Sequence, residues 1–292
     1  VPFLAYSRIQ QLLILATAVT AVSSASVIAI LSGVPGSAAS FWRMIISALL
    51  LTPLAVKPSY NEYYSSTLTL NGVLVGMAAG LMLGIHMSSW LESLAYASVA
   101  VSTTIVCTHA LFSSVFSIGI GEPPRKPQII GIVISLVGVF LLTGADPSSS
   151  VLGGILALIG AVSGGAYFVL GRVSRNKLSL KLYLPITYAT AAFVSLLFSY
   201  IQGEPLTGYT LESWGYLLLL ALIPNVIGHS LLNLSLRFST ATTVTGAVLG
   251  EPVGATVLAF ILLGQHPPVT VYLYMGIVLL GVALSVKSGL EL

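Results

Sequence analysis

Apolar runs long enough, or nearly so, to cross about 30 Å of hydrocarbon recur ten times along this chain. They lie near residues 10–31, 37–56, 70–92, 98–119, 129–144, 152–171, 182–201, 214–235, 241–263 and 270–287. Hydrophobic residues make up 56% of the 292 and charged ones 7%, against roughly 25% charged in a soluble domain. That is too little charge to clothe a globule, so lipid must serve as the solvent. The expected fold is an all-α polytopic membrane protein with ten transmembrane helices. Turn-forming residues mark the breaks: Gly33-Val34-Pro35-Gly36, Lys57-Pro58-Ser59, Glu122 through Pro127, Asp146-Pro147-Ser148 and His266-Pro267-Pro268.

Ten crossings put Arg8, Lys57, Arg125, Lys126, Arg172, Arg175, Lys177, Lys181, Arg237 and Lys287 on one side. Of the 11 basic residues only Arg43 lies toward the other. Under the positive-inside rule both termini are then cytoplasmic and the chain is a multi-pass cell membrane protein. One span more or fewer would scatter this set over both faces. The net charge of +3 therefore anchors the chain and gives no sign of a nucleic-acid partner. Cys107, the single cysteine, excludes an internal disulfide and a cysteine-built metal site. The N-terminal apolar run is read as a first span that stays, since no small-residue cleavage site precedes a soluble domain.

The chain also repeats itself. His86–Gly121 resembles Gly228–Gly264 at an offset of about 142 residues. Leu94-Ala95-Tyr96 answers Leu236-Arg237-Phe238, Thr108-His109-Ala110 answers Gly250-Glu251-Pro252, and Gly121-Glu122 answers Gly264-Gln265. Each half, 1–145 and 146–292, holds five spans. An odd number inverts the second half relative to the first, and inverted repeats mark secondary transporters whose sites lie near the midplane. His109 and Glu251 become symmetry mates at mid-membrane.

Within Val244–Gly264 a carboxylate stands in hydrocarbon at Glu251, followed at once by Pro252. Such a charge costs several kcal/mol, about 2.5–3.5 on insertion scales, and normally faces a partner or a wet cavity. Proline frees the carbonyl of Val248 a turn earlier, and Gly246, Gly250 and Gly254 lay a smooth strip where another helix packs closely.

The pieces WLESLAYASVAVSTTIVCTHALFSSVFSIGIGEPP and GHSLLNLSLRFSTATTVTGAVLGEPVGATVLAFILLG resemble the two repeats of EamA-type members of the drug/metabolite transporter superfamily. Phe41-Trp42-Arg43 and Gly164-Gly165-Ala166-Tyr167 are similar to that family too. Two departures stand out: Ala110 replaces the proline usual after Thr-His, and Gln265 replaces the glutamate that usually closes the second repeat. The resemblance implies ten helices, a central cavity lined mainly by spans 1, 3, 4, 6, 8 and 9, and alternating access by rocking of the halves. It also implies export as the favoured direction.

Candidate site residues follow from helical spacing. Asn225, His229, Asn233 and Arg237 stand on one face of the eighth span, either as a polar cavity wall or as interhelical hydrogen-bonding groups; Arg237 reads as a cytoplasmic anchor. In the third span Gly72, Gly76, Gly80 and Gly84 form a close-packing or sliding face. His86 and Trp90 share a further face, either toward solute or, for Trp90, in an interfacial belt. Glu92, near the outer surface, is expected to pair with Arg43 as a structural ion pair or gate. Tyr167 reaches toward the cavity, while Tyr183 and Tyr188 are interfacial or packing residues. Glu251, with or without His109, either senses a proton or cationic group or plays a static packing role.

Neither a phosphate-binding loop, a catalytic triad nor metal-ligand spacing appears, so the reading is of no enzyme and no cofactor. It is a carrier for a small organic solute, amino-acid-like, nucleobase-like or an amphipathic drug, with protons as one candidate coupling ion. A membrane-embedded enzyme acting on a lipid or isoprenoid is the rival from another class, and a channel a second. The lipid-facing fifth and tenth spans allow a monomer or a homodimer.

Overall fold

The computed structural model describes residues 7–56 and 69–290. Lys57 and the break it begins lie outside them, as do the side chains of Arg8 and Lys287. Eight helices are long and apolar enough to cross a membrane: α1 (Ile9–Ser32), α2 (Gly36–Ala55), α3 (Leu70–Ser93), α4 (Val99–Ile120), α6 (Val151–Arg175), α7 (Leu180–Gln202), α8 (Leu211–Ser235) and α9 (Ala241–Leu263). Two shorter apolar helices, α5 (Lys126–Leu142) and α10 (Val269–Ser285), complete the order. No strand occurs among the described residues.

Helix ends fall where the sequence carries capping chemistry. The hydroxyls of Ser98, Ser150 and Thr240 accept from backbone N–H groups of Val101, Gly153 and Thr243 in the first turns of α4, α6 and α9, which satisfies donors a helix start leaves open. Gly33 and Gly264 end α1 and α9 in the left-handed conformation, at φ 64° and 62°, where a side chain would be strained. In the α5–α6 turn the Ser148 N–H and hydroxyl donate to Asp146 Oδ1 at 2.9 and 2.7 Å. Burial pushes the Asp146 carboxyl up, but hydrogen bonds from Ser98, Ser148 and Ser149 outweigh it and hold the group below its ordinary value.

The packing has the form of two like halves. α3 lies against α6 as α8 lies against α1, α3 meets α7 as α8 meets α2, and α4 meets α6 as α9 meets α1. The pairs α2–α7, α4–α9 and α5–α10 map onto themselves when the halves are exchanged. A twofold between repeats gives this pattern.

Small residues let the pairs close. On α3 an added Cβ at Gly80 would stand 2.6 Å from the Thr187 carbonyl, and one at Gly84 2.8 Å from the Ala191 carbonyl. The glycine ladder is thus a seam against α7. Between α5 and α10, Gly131 meets Gly281 and the Ser135 hydroxyl donates to the Val278 carbonyl at 3.1 Å. This pair turns Val133, Val137, Phe140, Leu273 and Leu280 outward, as a lipid-facing surface requires.

Four helices are interrupted near their middles, and all four meet at the centre. α1 breaks at Ser23-Ser24, whose hydroxyls donate to the carbonyls of Val19 and Ala21. α8 widens into a π segment over Ala221–His229, around Pro224. α9 narrows to a 3₁₀ turn at Val248–Gly250, just before Glu251 and Pro252. α4 breaks at Thr108 with no proline present: the Thr108 hydroxyl donates to the Ile105 carbonyl at 2.7 Å, competing with the helical ladder. The symmetry mates Thr108-His109 and Gly250-Glu251 therefore share an interrupted backbone by different local means.

Candidate functional site

His86, Trp90, His109, His229 and Glu251 converge where the broken helices meet. With apolar side chains that include Val22, Phe168 and Val248, they enclose a cavity of about 10 Å³ for the centre of a water molecule, the lower limit for holding one. Gly164 makes this possible: a Cβ there would stand 2.7 Å from His86 Nδ1 and 3.3 Å from the His109 Cβ. Gly165 likewise admits α4, with Phe112 Cβ at 2.6 Å.

The His86 ring is fixed by Nδ1 donating to the Gly160 carbonyl at 2.7 Å, because a carbonyl can only accept. It stacks on Trp90 at 6.2 Å between centroids, and meets His109 edge-on at 6.2 Å. His109 in turn lies 5.3 Å from the Phe168 ring. Trp90 is buried in this wall and so does not belong to an interfacial belt. The Cys107 thiol points to Glu251 Oε2 and to the Val248 carbonyl, 3.9 Å from each.

Behind this shell lies a second polar layer. Asn233 Nδ2 donates to the Tyr167 hydroxyl at 2.5 Å and to the His229 carbonyl at 2.7 Å. Asn225 accepts from Arg43 Nε through Oδ1 at 3.3 Å, while the Tyr188 hydroxyl donates to its carbonyl at 3.4 Å. Tyr183 and Tyr188 are fully buried packing residues. Several buried polar atoms near the centre have no hydrogen-bond partner: His109 Nδ1, His229 Nδ1, Trp90 Nε1, and Arg43 Nη1 and Nη2. Buried polar groups are normally paired, so this concentration is unusual for the interior of a helix bundle.

The expected Arg43–Glu92 pair is not formed. Arg43 reaches inward from α2 to Asn225, because its long side chain carries the charge well away from the helix end. Glu92 instead accepts from the Gly36 N–H and hydrogen-bonds the Glu204 carboxyl, and Glu204 Oε2 also accepts from the Ala38 N–H at 2.8 Å. Two acids thus share the N-terminus of α2, where the helix dipole favours negative charge. Gly36 permits this contact, since a Cβ would fall 2.4 Å from the Glu92 nitrogen. Glu204, Phe168 and Cys107 were not among the expected site residues; only Phe168, next to Tyr167, carried a sequence signal.

Both ends of the bundle are tied. At the basic end Arg172 lies 3.8 Å from Glu122 and donates to the Leu236 carbonyl at 2.8 Å. At the other end Gln265, standing where the repeat would carry glutamate, accepts from the Val99 N–H at 3.0 Å and so caps α4. Hollows of about 310 and 540 Å³ open at that end, the first beside Gly36 and Glu92, the second beside Ser98, Asp146 and Gln265. No cluster of three or more metal-ligating side chains occurs among the described residues.

The EamA-like transporter family model matches twice, over residues 8–144 and 151–287. The chain belongs to the EamA-like transporter family. Its two matched copies coincide with the halves that the packing relates, and an EamA-like chain is a membrane transporter rather than an enzyme. A Clostridium kluyveri protein described as an uncharacterized transporter is 25% identical over 256 residues, covering 84% of this chain and 81% of that one. An uncharacterized inner membrane transporter of Escherichia coli K12, YedA, is 29% identical over 190 residues, 63% of this chain and 60% of that one. A solved crystal structure shares the fold of this chain at a TM-score of 0.69, with 19% identity over 98% of this chain and 99% of that one.

Proposed function

We propose that the chain carries a small organic solute across the cell membrane by alternating access, with ten crossings, both termini cytoplasmic and export favoured. The observation that carries this reading is the closed centre. Unpartnered imidazole and indole nitrogens of His109, His229 and Trp90 line about 10 Å³ of space, at the meeting point of four interrupted helices that belong to both halves. A permanent pore would keep its polar atoms wet. A carrier caught between its two open forms closes over them, and rocking of one repeat against the other would reopen the site to each side in turn.

The contacts of Arg172 with Glu122 and the Leu236 carbonyl tie the basic end, which is the cytoplasmic side in this reading. The hollows at the opposite end give that side a vestibule. The aromatic wall of Trp90 and Phe168 beside a few fixed polar groups suits an amino-acid-like, nucleobase-like or amphipathic solute. No lysine or arginine is among the residues that line the cavity, which suits phosphorylated sugars poorly, since a charge in hydrocarbon needs a partner.

Counterflow tests the proposal. Proteoliposomes loaded with unlabelled solute, drawn from amino acids, nucleobases and amphipathic amines, should take up the labelled solute transiently above equilibrium. Uptake that follows the gradient, neither saturating nor accelerated by internal solute, would indicate a channel instead.

A further inference from the structure

The end of the bundle opposite the basic one carries acids and no fixed cation. Glu92 lies at the end of α3, Asp146 in the α5–α6 turn, Glu204 just after α7 and Glu212 in the first turn of α8. No lysine or arginine side chain stands with them among the described residues, since Arg43 turns inward to Asn225. Asp146 is the most enclosed of the four, 4% exposed, in the wall of the hollow of about 540 Å³. Ser148 directs both its N–H and its hydroxyl to Oδ1, and Oδ2 is buried with no hydrogen-bond partner. The hydroxyls of Ser98 and Ser149 stand near enough to favour the ionised carboxylate, but neither is bonded to Oδ2.

The rest of the wall has few donors left to offer. The Ser98 N–H goes to the Ser149 hydroxyl at 3.0 Å, the Gln265 N–H to the Ala259 carbonyl at 3.3 Å, and the N–H groups of Leu94 and Ala95 to the carbonyls of Leu91 and Glu92. Pro147, Pro267 and Pro268 have no N–H at all. A carboxylate among committed donors repels an anion and selects a cation. We infer that this hollow is a second ligand site, apart from the central cavity, which takes an organic ammonium with a small apolar body on the Asp146 carboxylate. Binding here is independent of the direction in which the chain moves solute.

The wall also decides between an organic cation and a metal ion. A hard ion such as calcium gathers about six to eight oxygens, and no cluster of three or more metal-ligating side chains occurs among the described residues. A single carboxylate beside Leu94, Ala97 and three prolines suits an ammonium that brings its own hydrocarbon. Small-molecule sites have this make-up, with volumes of about 300–1,000 Å³. The three turns that form the hollow come from both repeats and are already stitched together. The Val99 N–H donates to Gln265 Oε1 at 3.0 Å and the Ser150 N–H to the Tyr96 carbonyl at 2.7 Å, so little ordering is left for a ligand to impose. The uncompensated negative field of this end draws ammonium ions toward it.

Benzylammonium and propylammonium chloride, titrated into the purified chain in a neutral detergent, are the probes. The melting midpoint should rise saturably with at least one of them, as for a ligand that binds the folded form alone. Benzyl alcohol and benzoate, which carry the ring with no charge or the opposite one, should leave it unchanged. Asp146→Asn keeps an oxygen for the Ser148 donors and removes the charge; affinity should fall at least tenfold. His266→Lys, at an exposed position on the rim, tethers a competing ammonium and should weaken the probe about tenfold as well. Glu251→Gln, in the central cavity, should keep wild-type affinity, which separates the two sites. Wild-type affinity in Asp146→Asn, or in His266→Lys should the first variant not fold, would overturn the assignment. So would a response lost in Glu251→Gln, since the ammonium would then sit at the centre. A midpoint raised by sodium or calcium chloride at matched ionic strength, and by neither ammonium, would overturn the organic class.

Discussion

Glu251→Gln is expected to lower exchange about 100-fold while leaving the protein folded and monodisperse. The substitution keeps the shape of a side chain that sits at 7% exposure behind the 3₁₀ turn of α9, and it removes only the charge. Removing a carboxylate that would hold a charged solute group in a buried site costs about 2–5 kcal/mol, and 100-fold corresponds to roughly 2.8 kcal/mol of that range. Because Glu251 lines the central cavity together with His109, its symmetry mate, the loss should appear in affinity for solute rather than in thermal stability. Wild-type rates in Glu251→Gln would leave the carboxylate a packing element.

Most of the scaffold could be read before any coordinates. The expected spans at 70–92 and 241–263 meet helices Leu70–Ser93 and Ala241–Leu263, because an apolar run bounded by Gly, Pro or a hydroxyl cap leaves little choice of ends. The convergence of His86, Trp90, His109, His229 and Glu251 was legible for a related reason: polar side chains in oil have few places to go. The partner of Arg43 was not legible. Charge complementarity points to Glu92, but residue number along a helix fixes only the depth of the Cα, and a long arginine carries its charge elsewhere. The contact Glu92 does make, with another acid in the turn after α7, runs against any pairing rule and depends on two backbone N–H groups at Gly36 and Ala38. Nor does composition reveal that Thr108 interrupts α4, since a hydroxyl bonding its own backbone leaves no periodic trace.

A second large effect should follow from overpacking the α5–α10 seam. In Gly131→Val the new Cβ would stand 2.3 Å from the Gly281 carbonyl oxygen and 2.7 Å from the Ser285 nitrogen. Both obstacles are backbone, so no side chain can turn aside, and the helices must separate. Separation also strains the Ser135 bond to the Val278 carbonyl. Overpacking of this kind costs about 1–3 kcal/mol, and the apparent melting temperature of the purified protein should fall by roughly 5 °C. Gly276→Ala on α10 is the control, because nothing lies within 4 Å of a Cβ there; it should leave the midpoint unchanged or raise it slightly, as alanine favours helix over glycine. Equal behaviour of the two variants would show that the seam does not hold the bundle.

Cys107 provides the most direct test of whether the closed centre opens to both sides. It is the single cysteine of the chain, 1% exposed, with its sulfur 3.9 Å from Glu251 Oε2, so its modification reports entry of water and reagent to the site. A small membrane-impermeant methanethiosulfonate should be applied to one face at a time of sealed vesicles carrying the protein in a single orientation. Slow modification from either face, retarded from both by an exchanging solute, is the predicted result. Modification from one face alone, or from neither during sustained exchange, would contradict the account.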